Sequence, residues 1–188
     1  MSLAPTKYRL SVAEFQRMGE SGIFPPEARL ELIAGEIIEM SPIGALHAAY
    51  VSLLSRIFSN QVAEPYIIFV QNPIQLADSQ PQPDLAILLP HPKSYRHHLP
   101  TAADTLLIVE VSDSTLDYDR EVKLPLYAGA GIPEVWIVNL QEDQLEVYTQ
   151  PAATGYLRSR YIKRTETYES EILPGLKLSP AAILDDPE

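Results

Sequence analysis

Glu110 is a carboxylate set inside an apolar run, Leu106-Leu107-Ile108-Val109-Glu110-Val111. Such a run predicts a strand buried on both faces. An acid there is costly unless it is paired or binds a cation. Side chains alternate along a strand, so Leu106, Ile108, Glu110 and Ser112 share one face. Taken alone, Glu110 reads equally well as the solvated end of a strand. Asp84 is a second acid of the same kind: it follows Pro83 and opens another apolar run, Leu85-Ala86-Ile87-Leu88. Two acids that interrupt neighbouring strands are the minimum for holding a hard divalent cation through oxygen ligands, with carbonyls and water completing the shell. Asp84 by itself reads as a turn residue after proline. Lys123 is a third candidate, in Asp119-Arg120-Glu121-Val122-Lys123. Its spacing alone makes it half of a surface ion pair with Asp119.

These side chains need a frame to bring them together. Ser11-Val12-Ala13-Glu14 is a capping box and predicts a short helix to about Met18. Arg29 to Met40 reads as a hairpin turning at Ala34-Gly35. Ser41-Pro42 predicts a helix start, with Ser41 as N-cap, followed by Ile43, Leu46, Tyr50, Leu53, Leu54 and Ile57 at helical spacing. Tyr66–Gln71, Ile74–Ala77 and Pro83–Leu88 read as strands, and Pro90–Pro100 as a loop that holds His91, His97 and His98. A helical stretch from Asp117 to Ala130, broken near Pro125, leads to strands at Glu134–Asn139 and Gln144–Thr149. Tyr156–Lys163 alternates basic and aromatic residues and reads as an edge strand, with a nucleic-acid-facing strand as the alternative. Leu173-Pro174-Gly175-Leu176 is a turn, and Ser179-Pro180 starts a short terminal helix. This order predicts an α/β (mixed α+β) fold, a mixed central sheet with helices against it, in a single domain spanning residues 1–188.

The 188 residues suffice for one full core, with 46% hydrophobic and 21% charged residues. The absence of cysteine excludes disulfides, thiolate zinc sites and a cysteine nucleophile. No apolar run is long enough to span a bilayer, and Met1 to Leu10 lacks the apolar core of a signal peptide, so the cytoplasm is the expected location and no membrane partner is expected. The net charge of -11 opposes strong non-specific binding to nucleic acid. A serine-nucleophile hydrolase is disfavoured because no G-x-S-x-G elbow surrounds Ser112 or Ser114.

Pro83-Asp84 followed by Glu110-Val111-Ser112 resembles the PD-(D/E)XK motif of restriction-endonuclease-like proteins. Ser112 stands where that motif usually carries lysine. A longer pattern runs through Glu31-Leu32-Ile33-Ala34-Gly35-Glu36, His47, Pro83-Asp84, Val109-Glu110-Val111-Ser112, Asp119, Lys123, Tyr127, Gly131, Pro133-Glu134-Val135-Trp136 and Pro174-Gly175-Leu176. In that order it resembles the Uma-two family of bacterial restriction-endonuclease-like proteins, over nearly the whole chain. The resemblance implies a lysine moved from the strand to the following helix, at Lys123. It further implies metal-assisted phosphodiester hydrolysis, in DNA, by a homodimer. Asp84, Glu110 and the carbonyl of Val111 would bind Mg²⁺ or Mn²⁺. Lys123 would orient a water or stabilise the transition state. Glu31 matches the family's additional acid; as a bare sequence feature it reads equally as an exposed strand charge. Ser112, Tyr127 and His47 are substrate-positioning candidates, with core packing for Tyr127 and capping or surface exposure for His47 as the alternatives. A catalytically idle member that binds or regulates is the rival reading, and a metal-binding structural or toxin-like partner protein is a second.

Overall fold

The computed structural model describes residues 6–184; the first five residues of the Met1–Leu10 stretch and the last four of the chain lie outside the described part. Helix α1 (Val12–Glu20) begins where the capping box places it. The Ser11 hydroxyl accepts from the Glu14 amide at 3.3 Å, and Glu14 Oε2 accepts from the Ser11 amide at 2.8 Å. Strands β1 (Leu30–Ile33) and β2 (Glu36–Glu39) form the expected hairpin. Ala34 and Gly35 both take positive φ, 48° and 75°, as the tight turn requires. Leu32 of this hairpin packs with Val12 and Phe15 of α1.

A separate six-stranded sheet holds the rest. It comprises β3 (Ile67–Val70), β4 (Leu85–Leu88), β5 (Thr105–Ser112), β6 (Glu134–Asn139), β7 (Gln144–Ala152) and β8 (Gly155–Lys163), hydrogen-bonded in that order. Only β5 and β6 run parallel, so the sheet is mixed. A parallel pair needs a crossover. Three short pieces supply it: α3 (Leu116–Tyr118), a π turn (Asp119–Lys123) and α4 (Leu124–Gly129). On one sheet face, Leu54 and Phe58 of α2 (Ala45–Gln61) pack on Leu107, Val109 and Trp136. On the other, Ile108 and Ile137 meet Tyr127 and Ile132. The alternation read from Ile108 and Glu110 therefore holds: both point away from α2. The chain ends in β9 (Tyr168–Glu169), β10 (Lys177–Leu178) and α5 (Ala181–Leu184), the last of these starting just after Ser179-Pro180 as the sequence predicts.

Two expectations need correction. Ser41 does not cap α2; the N-cap is Gly44, without a side-chain bond. The Ser41 carbonyl instead accepts from Arg29 Nη1 at 2.9 Å, which holds the segment extended as it leaves the hairpin. Ile43, in that segment, and Leu46, in the first turn of α2, are exposed and do not join the core. Ile74–Ala77 is no strand. Its Ile74 and Leu76 are buried, but its backbone makes a single bridge, Gln75 to Thr101, with further bonds from the Ile74 amide to the Pro81 carbonyl and from the Leu76 amide to the Ser79 carbonyl. The crossover breaks into short pieces, as Pro125 leads one to expect, and the piece just before it is a π turn. The Leu124 amide reaches back to the Asp119 carbonyl, five residues away.

The hairpin is stitched to the 78–82 segment by the Gly35 amide on the Asp78 carbonyl (3.0 Å), the Ala34 amide on Ser79 Oγ (2.7 Å) and the Gln80 amide on the Leu32 carbonyl (2.7 Å). Gly35 is needed twice there. Its φ is left-handed, and a Cβ would stand 2.8 Å from Arg9 Cβ and 3.0 Å from the Leu10 carbonyl. Gly35→Ala is expected to destabilise the protein by about 1–3 kcal/mol and to lower its thermal midpoint by several degrees in a calorimetric scan.

Candidate functional site

Antiparallel pairing brings the two acids together. Leu85 lies opposite Val109, so one step beyond the end of β4 Asp84 lies opposite Glu110. The Asp84 amide approaches Glu110 Oε2 at 3.3 Å, and Asp84 Oδ2 accepts from the Val111 amide at 2.9 Å. Asp84 Oδ1 accepts from His47 Nε2 at 2.8 Å and from Gln71 Nε2 at 3.2 Å. His47 is thus neither a cap nor a free surface residue. Its hydrogen bond to Asp84 raises its pKa above the ordinary value, against the opposing effect of burial.

Lys123 comes from the crossover and returns to the strand face. Its ammonium lies 3.3 Å from Glu110 Oε1 and 3.2 Å from Glu31 Oε1. Both readings of Lys123 and Glu31 as surface charges fail: Glu31 is 1% exposed and Lys123 5%. Asp119 does not pair with Lys123 by hydrogen bond. Its Oδ2 accepts from Ser112 Oγ at 2.7 Å and Thr115 Oγ1 at 2.8 Å. Ser112, in the place where the usual motif has lysine, therefore ties the first residue of the π turn to the end of β5. The wider π turn keeps Asp119, Lys123 and Tyr127, four residues apart each time, facing inward. Tyr127 donates its hydroxyl to Glu110 Oε1 at 2.6 Å, so it contacts the acid directly and not Lys123.

The outer side of the π turn is anchored too. Arg120 forms a two-nitrogen clamp on Glu146 of β7, with Nε–Oε2 at 3.1 Å and a shorter Nη2–Oε1 contact. Asn139 and Tyr148 also donate to Glu146, which is fully buried. Burial works against the Glu146 carboxylate, but these donors hold its pKa below the ordinary value. Neither Arg120 nor Glu146 carries a sequence signal of its own. Gln71 escapes a sequence reading for a related reason: it faces Asp84 only through the β3–β4 register, with a left-handed φ of 51°. His97 and His98 stay in their loop and do not line the cavity described next.

A cavity of about 500 Å³ opens onto Asp84, Glu110, Glu31 and Lys123. Burial raises the Glu110 carboxyl to about 8, with Lys123 opposing the shift. Burial pulls the Lys123 pKa down, but Glu110 and Glu31 outweigh it and hold the ammonium well above its ordinary value. Burial also raises Asp119. Four acids (Glu31, Asp84, Glu110 and Asp119) thus meet Lys123 and His47, an acid-rich set whose oxygens suit a divalent cation once Glu110 gives up its proton. Among the described residues no three His, Asp or Glu side chains form a ready-made cage. Mg²⁺ does not require one, because it is typically bound by one or two carboxylates with water and substrate oxygens. The hard oxygen donors of Asp84 and Glu110 fit that demand.

The mixed six-stranded sheet with helices on it is a fold that comparison with known proteins also finds among nucleases. The chain belongs to the Uma2 family, described as "Putative restriction endonuclease", whose profile matches residues 12–181. The fold is similar to a crystal structure from Anabaena variabilis titled as "a putative nuclease belonging to DUF820", with a TM-score of 0.70 at 16% identity. The likeness covers 93% of this chain and 97% of that one. No curated protein matches the chain in sequence. No helix among the described residues is long and apolar enough to cross a membrane.

Two measurements probe this cluster. The Tyr118 hydroxyl is enclosed beside these charges and has no hydrogen-bond partner among the described residues; burial, then Glu31, pushes its pKa up to about 12. Removing an unsatisfied buried hydroxyl relieves about 1–3 kcal/mol, so Tyr118→Phe is expected to raise the thermal midpoint. The pKa of Glu110 is higher in the folded protein than its ordinary 4.5. The stability tied to it is therefore complete below that value and lost as pH rises through about 8. In thermal melts without metal, between about pH 5 and about pH 9, the wild type is expected to lose more stability than Glu110→Gln.

Proposed function

We propose that this chain is a metal-dependent nuclease that hydrolyses phosphodiester bonds in DNA and works as one nuclease-fold unit. The observation that carries this reading is the place of Lys123. Its ammonium stands beside Glu110 although it starts from the helix and not from the strand, so the lysine missing at Ser112 has a spatial replacement. A cation bound here would supply Lewis-acid activation of the phosphate and of a water. Asp84, Glu110 and the Val111 carbonyl would hold it, with Mg²⁺ or Mn²⁺ matching the oxygen donors.

The chain's own residues do the rest. Lys123 keeps its proton and presents a fixed positive charge where negative charge develops on the phosphate. Glu31 shares Lys123 with Glu110 and also accepts from the Gln82 amide at 2.6 Å, which fixes its carboxylate. Tyr127 and Lys123 together restrain Glu110 Oε1, leaving Oε2 beside Asp84. His47 restrains Asp84 Oδ1 from the other side. The buried, restrained acids favour a preformed site over one built by reorganisation. A homodimer belongs to this reading where both strands of a duplex are cut, and light scattering of the pure protein measures it.

The test is cleavage of labelled DNA and RNA with Mg²⁺ or Mn²⁺ present, alongside calorimetric titration of the metal. Wild type is expected to bind the metal more tightly as pH rises through about 8, because the proton on Glu110 competes. Asp84→Ala and Glu110→Gln should abolish both binding and cleavage. Lys123→Ala should keep metal binding and lose about 100-fold or more in rate. Metal binding without any cleavage would support the catalytically idle alternative.

A further inference from the structure

We infer that the site takes an unpaired nucleotide, so that its substrate is single-stranded nucleic acid and not intact duplex. The inference rests on the nuclease reading above and names the substrate form for that site. The first observation is depth. Glu110 is 3% exposed and Asp84 8%, and both line the cavity. A phosphodiester must enter to reach them. Duplex is stiff over the dimensions of such a cavity, whereas a single strand bends and can turn a nucleotide out of line. A volume of about 500 Å³ is that of a pocket for a small molecule.

The second observation is the wall. Ile38, Met40, Ile43 and Leu46 form an apolar side of the cavity on the approach to α2. Ile43 and Leu46 are open to water, with Leu46 57% exposed, and neither joins a buried cluster. An apolar wall next to a cluster of acids offers nothing to a phosphate, but it suits the flat face of an unstacked base. A paired base has its faces covered by its neighbours in the stack.

The third observation is charge. Duplex affinity comes from several phosphate contacts by Lys and Arg. The lysine and arginine of this cavity are Lys123 and Arg29. Lys123, between Glu31 and Glu110, can serve only the phosphate that is cut, and Arg29 Nη1 donates to the Ser41 carbonyl, so no row of cations is left for the flanking phosphates of a duplex. With a chain net charge of -11, a base wall is the better source of affinity. A single strand needs one cut, so one copy of the site suffices.

The experiment compares the wild-type cleavage rate, with Mn²⁺, on a labelled DNA single strand, its perfect duplex and the same duplex carrying an unpaired bulge. The expected result is cleavage of the single strand and of the bulge at least about tenfold faster than of the duplex, the factor of one base contact. Leu46→Glu should raise KM for the single strand by about tenfold, with a smaller change in kcat. Its thermal midpoint checks that it folds, and Leu46→Ser serves in its place if it does not. Duplex cut as fast as single strand overturns the inference and leaves the nuclease reading intact. So does a single-strand KM that neither folded variant changes. If wild type cuts none of the three, nor an RNA strand of the same sequence, the nuclease reading fails and takes the inference with it.

Discussion

A carboxylate on the inner face of a sheet must be answered by something, and at Glu110 the answer comes from three separate parts of the chain. Tyr127 donates from α4, Lys123 approaches from the π turn, and the Asp84 amide lies at the end of β4. Burial still dominates and raises the carboxyl to about 8. A simple ion pair would have settled lower. The site is left with more acid than base, a condition a fold tolerates only where something else relieves it. Protonation of Glu110 relieves it below about pH 8, and the divalent cation proposed above would relieve it in the proton's place, so the electrostatic strain and the proposed chemistry have one origin.

Much of the architecture follows from delivering partners to that acid. The hairpin stands apart from the central sheet and touches the site through Glu31, so it is stitched to residues 78–82 on one side and packed on α1 on the other. The crossover has a harder task, since it must join two parallel strands and also turn Lys123 back over β5. Pro125 lacks the amide that a continuous helix would use, and the π turn takes up the mismatch. Ser112 fastens the inner side of that turn through Asp119. Arg120 and Glu146 fasten the outer side to β7. A lysine on the strand would need none of this. Moving it to the helix makes the reach of one side chain depend on both anchors.

The strands that carry Asp84 and Glu110 were readable because a buried strand is a continuous apolar run, and an acid that breaks one stands out. The helix after β5 was readable from its spacing and its break from Pro125. What could not be read were features set by register and by distance in space. Gln71 faces Asp84 only because β3 pairs with β4 in one particular alignment. Glu146 clamps Arg120 across 26 residues without any local pattern. The helix start at Ser41-Pro42 misled because the local capping signal was good, yet the Arg29 bond to the Ser41 carbonyl outcompeted it. His47 and Glu31 looked ordinary in sequence because their burial is tertiary: each is covered by segments more than thirty residues away.

The misplaced helix start has a consequence for the site. Had α2 begun at Ser41, Ile43 would have lain on a helical turn; it lies instead in the extended 41–44 segment, which lines the cavity. Leu46, inside α2, also lines the cavity, off the buried face of Val51, Leu54 and Phe58. Exposed leucine and isoleucine there are unfavourable for the isolated protein. His47, the next residue of α2, reaches Asp84. Arg29, through the Ser41 carbonyl, fastens the extended segment just before it, so the apolar approach to the acids and the group that restrains one of them are neighbours on one stretch of chain.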